Sequence, residues 1–388
     1  MRRRAAAALF LLPACAAALL AAVGPAPAQS PQPCLGDTGA AGVEEMPGPR
    51  VRFGITPAGE AGAVGPPVPV TPGTRAQTLA ALRTLRAPGA PFVLRLNRFF
   101  WSLRERGFRK FLRRATGYSR RGFLVELQLR YHPDPRQEGK IGRWVRFVRN
   151  VTRAFGRDPR VVGLQVANEV NFYPIAPDAS DSAYEGAREA LVRGVIAADG
   201  VARRRGYEHL EIGFNWAYRT DPNRERSFWE ALRDGGRRFR SAVDWVGLDA
   251  YPGTVFPPLL APGEERDGIV AAISQLRECF MPIARLGPEV PIHVEENGWP
   301  TGPGRSEANQ EIALRAMVGA VHEFRGTYNV TDYRWFDLRD HNTSSQNFQQ
   351  HYGLLRDDYS PKPAFGAYRE LVRRFTWRNG GVGSRKGM

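Results

Sequence analysis

The sequence is sparing with three residue types that carry much enzyme chemistry: of 388 residues, three are cysteine, six histidine and four lysine. Cys15, Cys34 and Cys279 allow at most one disulfide. The histidines, His132, His209, His293, His322, His341 and His351, form no His-x-His and no His-x-x-x-His pair. A metal-dependent hydrolase needs several such ligands converging on one ion, so no metal is expected. No phosphate-binding loop or dinucleotide fingerprint stands in a suitable context, and Phe53-Gly54-Ile55-Thr56-Pro57 does not supply a Gly-rich turn. No cofactor is expected either.

The four lysines, Lys110, Lys140, Lys362 and Lys386, leave arginine to account for nearly all of the net charge of +16. Arginine is spread along the chain, as at Arg143, Arg146, Arg149 and Arg153 on the outward face of an expected helix. That distribution reads as a solvated surface, and no nucleic-acid partner is expected. The densest basic stretch, 104–121, contains Phe108, Phe111 and Leu112 at helical spacing. It reads as an amphipathic helix with an Arg-rich outer face, a polyanion site being the alternative.

Only one long apolar run occurs, at 5–23, after Arg2, Arg3 and Arg4 and before the small-residue site Ala26-Pro27-Ala28. It reads as a secretory signal (1–28) cut after Ala28, giving a secreted protein without stable membrane insertion. A membrane anchor and a lipoprotein box at Cys15 are the alternatives. Loss of 1–28 would leave Cys34 and Cys279 either to pair or to stay free, with Cys279 buried on a helix. Residues 29–50 form a Pro/Gly/Ala lead and 379–388 a loose tail.

Between them, at 51–378, eight β-branched or aliphatic runs begin near Val51, Phe92, Phe123, Val161, Leu210, Val243, Val290 and Val330. Helix-period segments separate them. Eight such units predict a single-domain α/β fold, a (β/α)8 TIM barrel, with its active site at the C-terminal strand ends. Polar and aromatic residues gather there. Strand two ends at Arg95 and Asn97, three at His132, four at Asn168-Glu169, and five at Asn215-Trp216. Strand six ends at Asp249-Ala250-Tyr251, seven at Glu295-Glu296-Asn297-Gly298-Trp299-Pro300, and eight at Trp335-Phe336-Asp337.

Carboxylates after strands four and seven face each other across a barrel mouth. Cleavage of a glycosidic bond with retention needs one carboxylic acid and one carboxylate, roughly 5–5.5 Å apart. The charge of Glu296 is expected to keep Glu169 protonated until the glycosyl ester forms. Adjacent strand residues point to opposite faces, so Glu295 and Glu296 compete for one role.

Asn168-Glu169 and Glu296-Asn297-Gly298-Trp299-Pro300 resemble the two signatures of clan A glycoside hydrolases, with similarity extending over 51–375. The resemblance implies that Glu169 is the acid/base, Glu296 the nucleophile and Asn168 a partner of the substrate 2-hydroxyl. It makes Tyr251 a hydrogen-bonding neighbour of Glu296 and Trp335 the platform under the sugar. Arg95 and His132 match basic residues of the cellulase-type family five, and the Glu-x-Gly-Trp-Pro spacing selects Glu296. Where that family has His two residues before the strand-six Tyr, this chain has Asp249, which keeps a family-thirty-nine-like or unassigned clan A relative open.

Each residue also has a bland reading. Glu169 pairs with Arg95 in an interior salt bridge, Trp216, Trp299 and Trp335 are barrel filling rather than sugar contacts, and His132 is structural. The expectation is a secreted, monomeric, retaining glycosidase acting on a poly- or oligosaccharide. A non-catalytic carbohydrate-binding barrel, a transglycosylase and an adhesin for anionic polymers are the alternatives.

Overall fold

The computed structural model describes residues 44–57, 68–172, 179–219 and 222–377. Eight parallel strands close in chain order: β1 (Arg52–Ile55), β2 (Val93–Phe100), β3 (Leu124–Arg130), β4 (Val161–Val166), β5 (Glu211–Ala217), β6 (Trp245–Ala250), β7 (Ile292–Asn297) and β8 (Val330–Trp335). Each starts within two residues of the run read from the sequence. Helices α1 (Arg75–Leu85), α2 (Arg104–Ser119), α3 (Ile141–Phe155) and α4 (Ala187–Arg205) follow the first four strands. The strand-five unit carries α5 (Pro222–Asp234) and α6 (Gly236–Arg240), and the strand-six unit α7 (Glu265–Ser274), a π turn and α8 (Met281–Ile283). Finally, α9 (Glu307–Glu323) follows β7 and α10 (Pro363–Trp377) follows β8.

The helices form because their apolar residues recur at helical spacing. On α3, Ile141, Trp144, Val145, Val148, Val151 and Phe155 are buried while Arg143, Arg146, Arg149 and Arg153 face solvent. Thr74 and Ser306 cap α1 and α9 by accepting from the backbone N–H three residues on. Left-handed Gly206 ends α4.

The barrel interior is crossed by large polar side chains. Arg95, Glu126, His293, Glu295, Asp332 and Arg334 are all buried. Glycines make room for them: a Cβ at Gly54 would lie 2.7 Å from the Arg334 side chain, and one at Gly163 would lie 2.8 Å from that of Glu126. Residues of opposite parity pack outward on the helices. Trp216 touches Trp229 and Phe280, and Trp335 touches Tyr368 of α10.

The expected signal, the first part of the lead and the tail lie outside the described residues, as does Cys34. Cys279, on the π turn, is in a disulfide. Among the described residues no helix is long and apolar enough to cross a membrane.

Candidate active site

Beyond β4 the backbone bends sharply: Ala167 and Glu169 both hold left-handed conformations, with φ of 64° and 47°. Such conformations cost non-glycine residues energy and persist only where the surroundings over-determine them. Here four side chains do so. Asp181 Oδ2 accepts from Asn168 N at 2.9 Å, and Gln165 Nε2 donates to Ala167 O at 2.8 Å. Ser180 Oγ donates to Glu169 O at 2.7 Å, and Asn215 Oδ1 accepts from Glu169 N at 2.9 Å. Asp181 is itself anchored by Arg130 Nε at 2.8 Å and Tyr131 N at 2.7 Å. The turn aims the Glu169 carboxyl into the barrel mouth.

Glu296 reaches the same place through an irregularity in β7. Leu248 pairs with Val294 but Asp249 pairs with Glu296, so Glu295 is an extra residue on β7. The bulge lets both glutamates turn inward, which resolves their competition. Glu295 is fully buried below, and Glu296 lines the cleft above. Tyr251 donates to Glu296 Oε2 at 2.8 Å, and Arg95 Nη1 and Gln128 Nε2 donate to Oε1 at 2.8 and 3.1 Å. Arg95 thus pairs with Glu296 and not with Glu169.

Carboxylate oxygens of Glu169, Asp249 and Glu296 lie within 4.8 Å of one another. Burial, then the negative charge of Glu296, pushes the Glu169 carboxyl up to about 8. The same two causes raise the Asp249 carboxyl well above its ordinary value, favouring its neutral form. Burial and the Glu296 charge likewise keep the Tyr251 phenol protonated as a donor.

These groups floor a cavity of about 160 Å³ with aromatic walls: Tyr218, Tyr251, Phe336 and Tyr352, with Phe172 and Phe256 meeting edge-on at 5.9 Å. No lysine or arginine lines it among the described residues.

The structure brings together Glu169, Glu296, Asn168, Tyr251 and Arg95, but not the remaining expected residues. Trp335 is fully buried and faces α10, so it is not the platform. Strand parity places it with Tyr333 on the helix side and turns Phe336 into the cleft instead. Trp216 is also core, its Nε1 donating to Glu225 at 2.6 Å. Trp299 is covered by the Arg305 guanidinium at 3.8 Å and does not line the cavity. His132 stacks on Phe100 at 4.3 Å and bonds Ser102 Oγ at 3.1 Å, also away from the cleft. Asn168 Oδ1 accepts from Gln128, Gln165 and Asn215, so its outward atom is Nδ2, which also donates to Ala179 O.

Sequence reasoning missed Asp181, Gln128 and Phe336. Phe336 had a signal, since it shares parity with the polar Asp332 and Arg334. Asp181 had none, because it lies in a connection that folds back over β3 and β4.

Among the described residues two clusters have donors suited to a cation: Glu169-Asp249-Glu296 at the cleft, and Glu126-His293-Glu295 in the barrel core. The second is flanked by Arg95 at 3.1 Å from Glu295 and Arg334 at 3.2 Å from Glu126, whose positive charge opposes a dication there.

No protein-family model and no curated protein matches the chain. Solved structures do. GH5_18 from Streptomyces cattleya, in complex with GlcNAc, aligns with a TM-score of 0.56 at 16% identity, over 87% of this chain and 83% of that one. A β-glucuronidase from an uncultured Clostridium aligns at 0.53 and 14% identity, over 84% of this chain and 51% of its own. A variant of GH5_18 from Bifidobacterium longum, in complex with Manβ1-4GlcNAc, aligns at 0.53 and 14%, covering 74% of this chain and 70% of that one. What is shared is the eight-stranded barrel. At these identities the site of this chain has to be argued from its own residues.

Proposed function

We propose that the protein is a retaining glycoside hydrolase of the clan A type, acting on a β-linked poly- or oligosaccharide. The observation that carries this reading is the pair Glu169 and Glu296, which lie at the C-terminal ends of β4 and β7 with oxygens within 4.8 Å, the Glu169 carboxyl being raised by burial and by the charge of Glu296. Glu296 Oε2, with one bond from Tyr251, keeps a lone pair for attack on the anomeric carbon, while Arg95 and Gln128 fix Oε1. Glu169 gives its proton to the departing glycosidic oxygen. Once Glu296 is esterified its charge is gone, the Glu169 pKa falls, and Glu169 takes the proton of the incoming water.

Aromatic walls suit the apolar faces of a sugar ring. With no cation on its lining among the described residues, the cleft favours a neutral ring over a uronate at the cleavage position. The solved structures named above, in complex with GlcNAc and Manβ1-4GlcNAc, make β-mannosides and amino-sugar conjugates part of the panel to try. The same reading takes the protein as exported, monomeric and free of cofactors.

The test is hydrolysis of aryl β-glycosides, mannans, glucans and xylans by the parent, Glu169→Gln and Glu296→Gln. Turnover that collapses in both variants supports the reading. Undiminished activity in Glu296→Gln refutes the nucleophile, and a folded parent inert on every substrate favours a non-catalytic binding barrel.

A further inference from the structure

The positive charge is not evenly placed, and neither is arginine. Residues 75–160 hold 22 Lys and Arg against 5 Asp and Glu, while the rest of the chain holds 33 against 34. The whole excess therefore sits on the first units of the barrel, from α1 to α3. We infer that the flank formed by α1 and α2 is a docking groove for a strand of acidic polysaccharide, separate from the catalytic cleft.

A groove of about 580 Å³ lies there, bounded by α1, α2 and the β8–α10 connection. Arg75, Lys110, Arg113, Arg114 and Arg339 line it, and no Asp or Glu does among the described residues. Among the described residues Arg75, Lys110, Arg113 and Arg114 form no ion pair there. On other helices some exposed arginines are matched by an acid one turn away, as in Arg193–Glu189, Arg203–Asp199, Arg226–Glu230 and Arg315–Glu311. Bare like charges crowded into a concavity repel one another, and an anionic ligand relieves that cost.

The shape and chemistry of the groove select the ligand. A membrane-binding face carries exposed apolar side chains beside its cations, and of the exposed large hydrophobics only Val70 lies here. Single-stranded nucleic acid needs open aromatic faces for its bases. Among the described residues this groove offers Tyr118, Tyr359 and His341, all half-buried; Tyr359 is already covered by the Arg339 guanidinium at 5.1 Å and His341 bonds Gln350 at 2.9 Å. A chain of uronate residues needs neither, only spaced cations and hydroxyls, which Thr74 and Thr78 add. The choice of a polysaccharide also rests on the glycosidase reading. The β8–α10 connection borders both places, giving Arg339 to the groove and Phe336 and Tyr352 to the cleft. Acidic units held on the flank and neutral units cut in the cleft would belong to one mixed polymer or to neighbouring chains.

Calorimetry of the purified protein with polygalacturonate tests this, with single-stranded DNA and phosphatidylserine vesicles as comparators at equal salt. The parent should bind polygalacturonate most tightly and lose about tenfold or more in affinity between 50 and 300 mM salt. The variant Arg75→Gln/Lys110→Gln/Arg113→Gln/Arg114→Gln should lose about tenfold or more at 50 mM salt and show a shallower salt slope. A control with Arg204, Arg205, Arg237 and Arg238 changed to Gln should bind like the parent, and aryl glycoside turnover should match the parent in both. Equal losses in groove variant and control, tighter binding of DNA or vesicles, or no binding of polygalacturonate overturns the inference. Because binding is read without turnover, a failed glycosidase assay leaves this result standing or falling by itself.

Discussion

Arg95 bonds two consecutive acids of one strand, Glu295 through Nε at 3.1 Å and Glu296 through Nη1 at 2.8 Å. One guanidinium thereby ties the cleft carboxylate to the ionic interior below it, where Glu295, His293, Asp332, Arg334 and Glu126 follow one another at 3.4 Å or less. Replacing Arg95 with Met should leave the buried Glu295 and the part-buried Glu296 uncompensated and cost about 3–5 kcal/mol of stability. Thermal unfolding of Arg95→Met should show a clear fall in Tm, and an unchanged Tm would mean that the pair is not held as described.

The alkaline limb of activity should report Glu169. Its proton is needed for the first step, and its pKa is pushed up to about 8, so kcat/KM should hold through neutral pH and fall above about pH 8. Glu296→Gln should lower kcat by about 10³-fold or more.

Burial and then the Glu296 charge favour the neutral Asp249 carboxyl, and Asp249→Asn is near-isosteric with that form and matches its charge. The alkaline limb should stay within about half a pH unit of the parent. A downward move of a unit or more would show that Asp249 carries a negative charge beside Glu169 and was raising its pKa.

Phe336→Ala should raise KM about 5- to 30-fold by removing an aromatic wall, a loss of about 1–2 kcal/mol. By contrast Trp335→Phe should lower Tm and leave KM unchanged, since that ring packs on Tyr368. A KM change in Trp335→Phe with an unaltered Tm would restore Trp335 as the sugar platform.

Glu126 is raised to about 8 by burial and then by Glu295. In the unfolded chain a Glu releases its proton near about pH 4.3, so between there and pH 8 the native state holds the extra proton. That contribution to stability is complete below the unfolded pKa and drains away by up to about 1.4 kcal/mol per pH unit as pH rises towards 8. Measured from pH 5 to 9, the Tm of Glu126→Gln should gain on the parent as pH rises. Parallel curves would show that Glu126 is already ionised.

Strand positions were legible because β-branched runs between helix-period segments leave little choice of element, and the acidic strand ends because a barrel collects its chemistry at one rim. What failed was the direction of single side chains. Trp335, Trp216 and Trp299 sit at strand ends and look like sugar platforms, yet parity and neighbouring helices bury them. Arginine abundance hid a local excess that counting by segment exposes.

By itself the sequence determined the eight-fold alternation, the two opposed glutamates and the charge concentrated in residues 75–160, since periodicity, spacing and composition are properties of the chain. Only the tertiary structure decided that a bulge turns Glu295 and Glu296 inward together, that Asp181 and Asn215 hold the Glu169 turn, and that Phe336 rather than Trp335 faces the cleft. These depend on which surfaces meet when the barrel closes, and a carboxyl's proton depends on the charges and burial that closure brings around it.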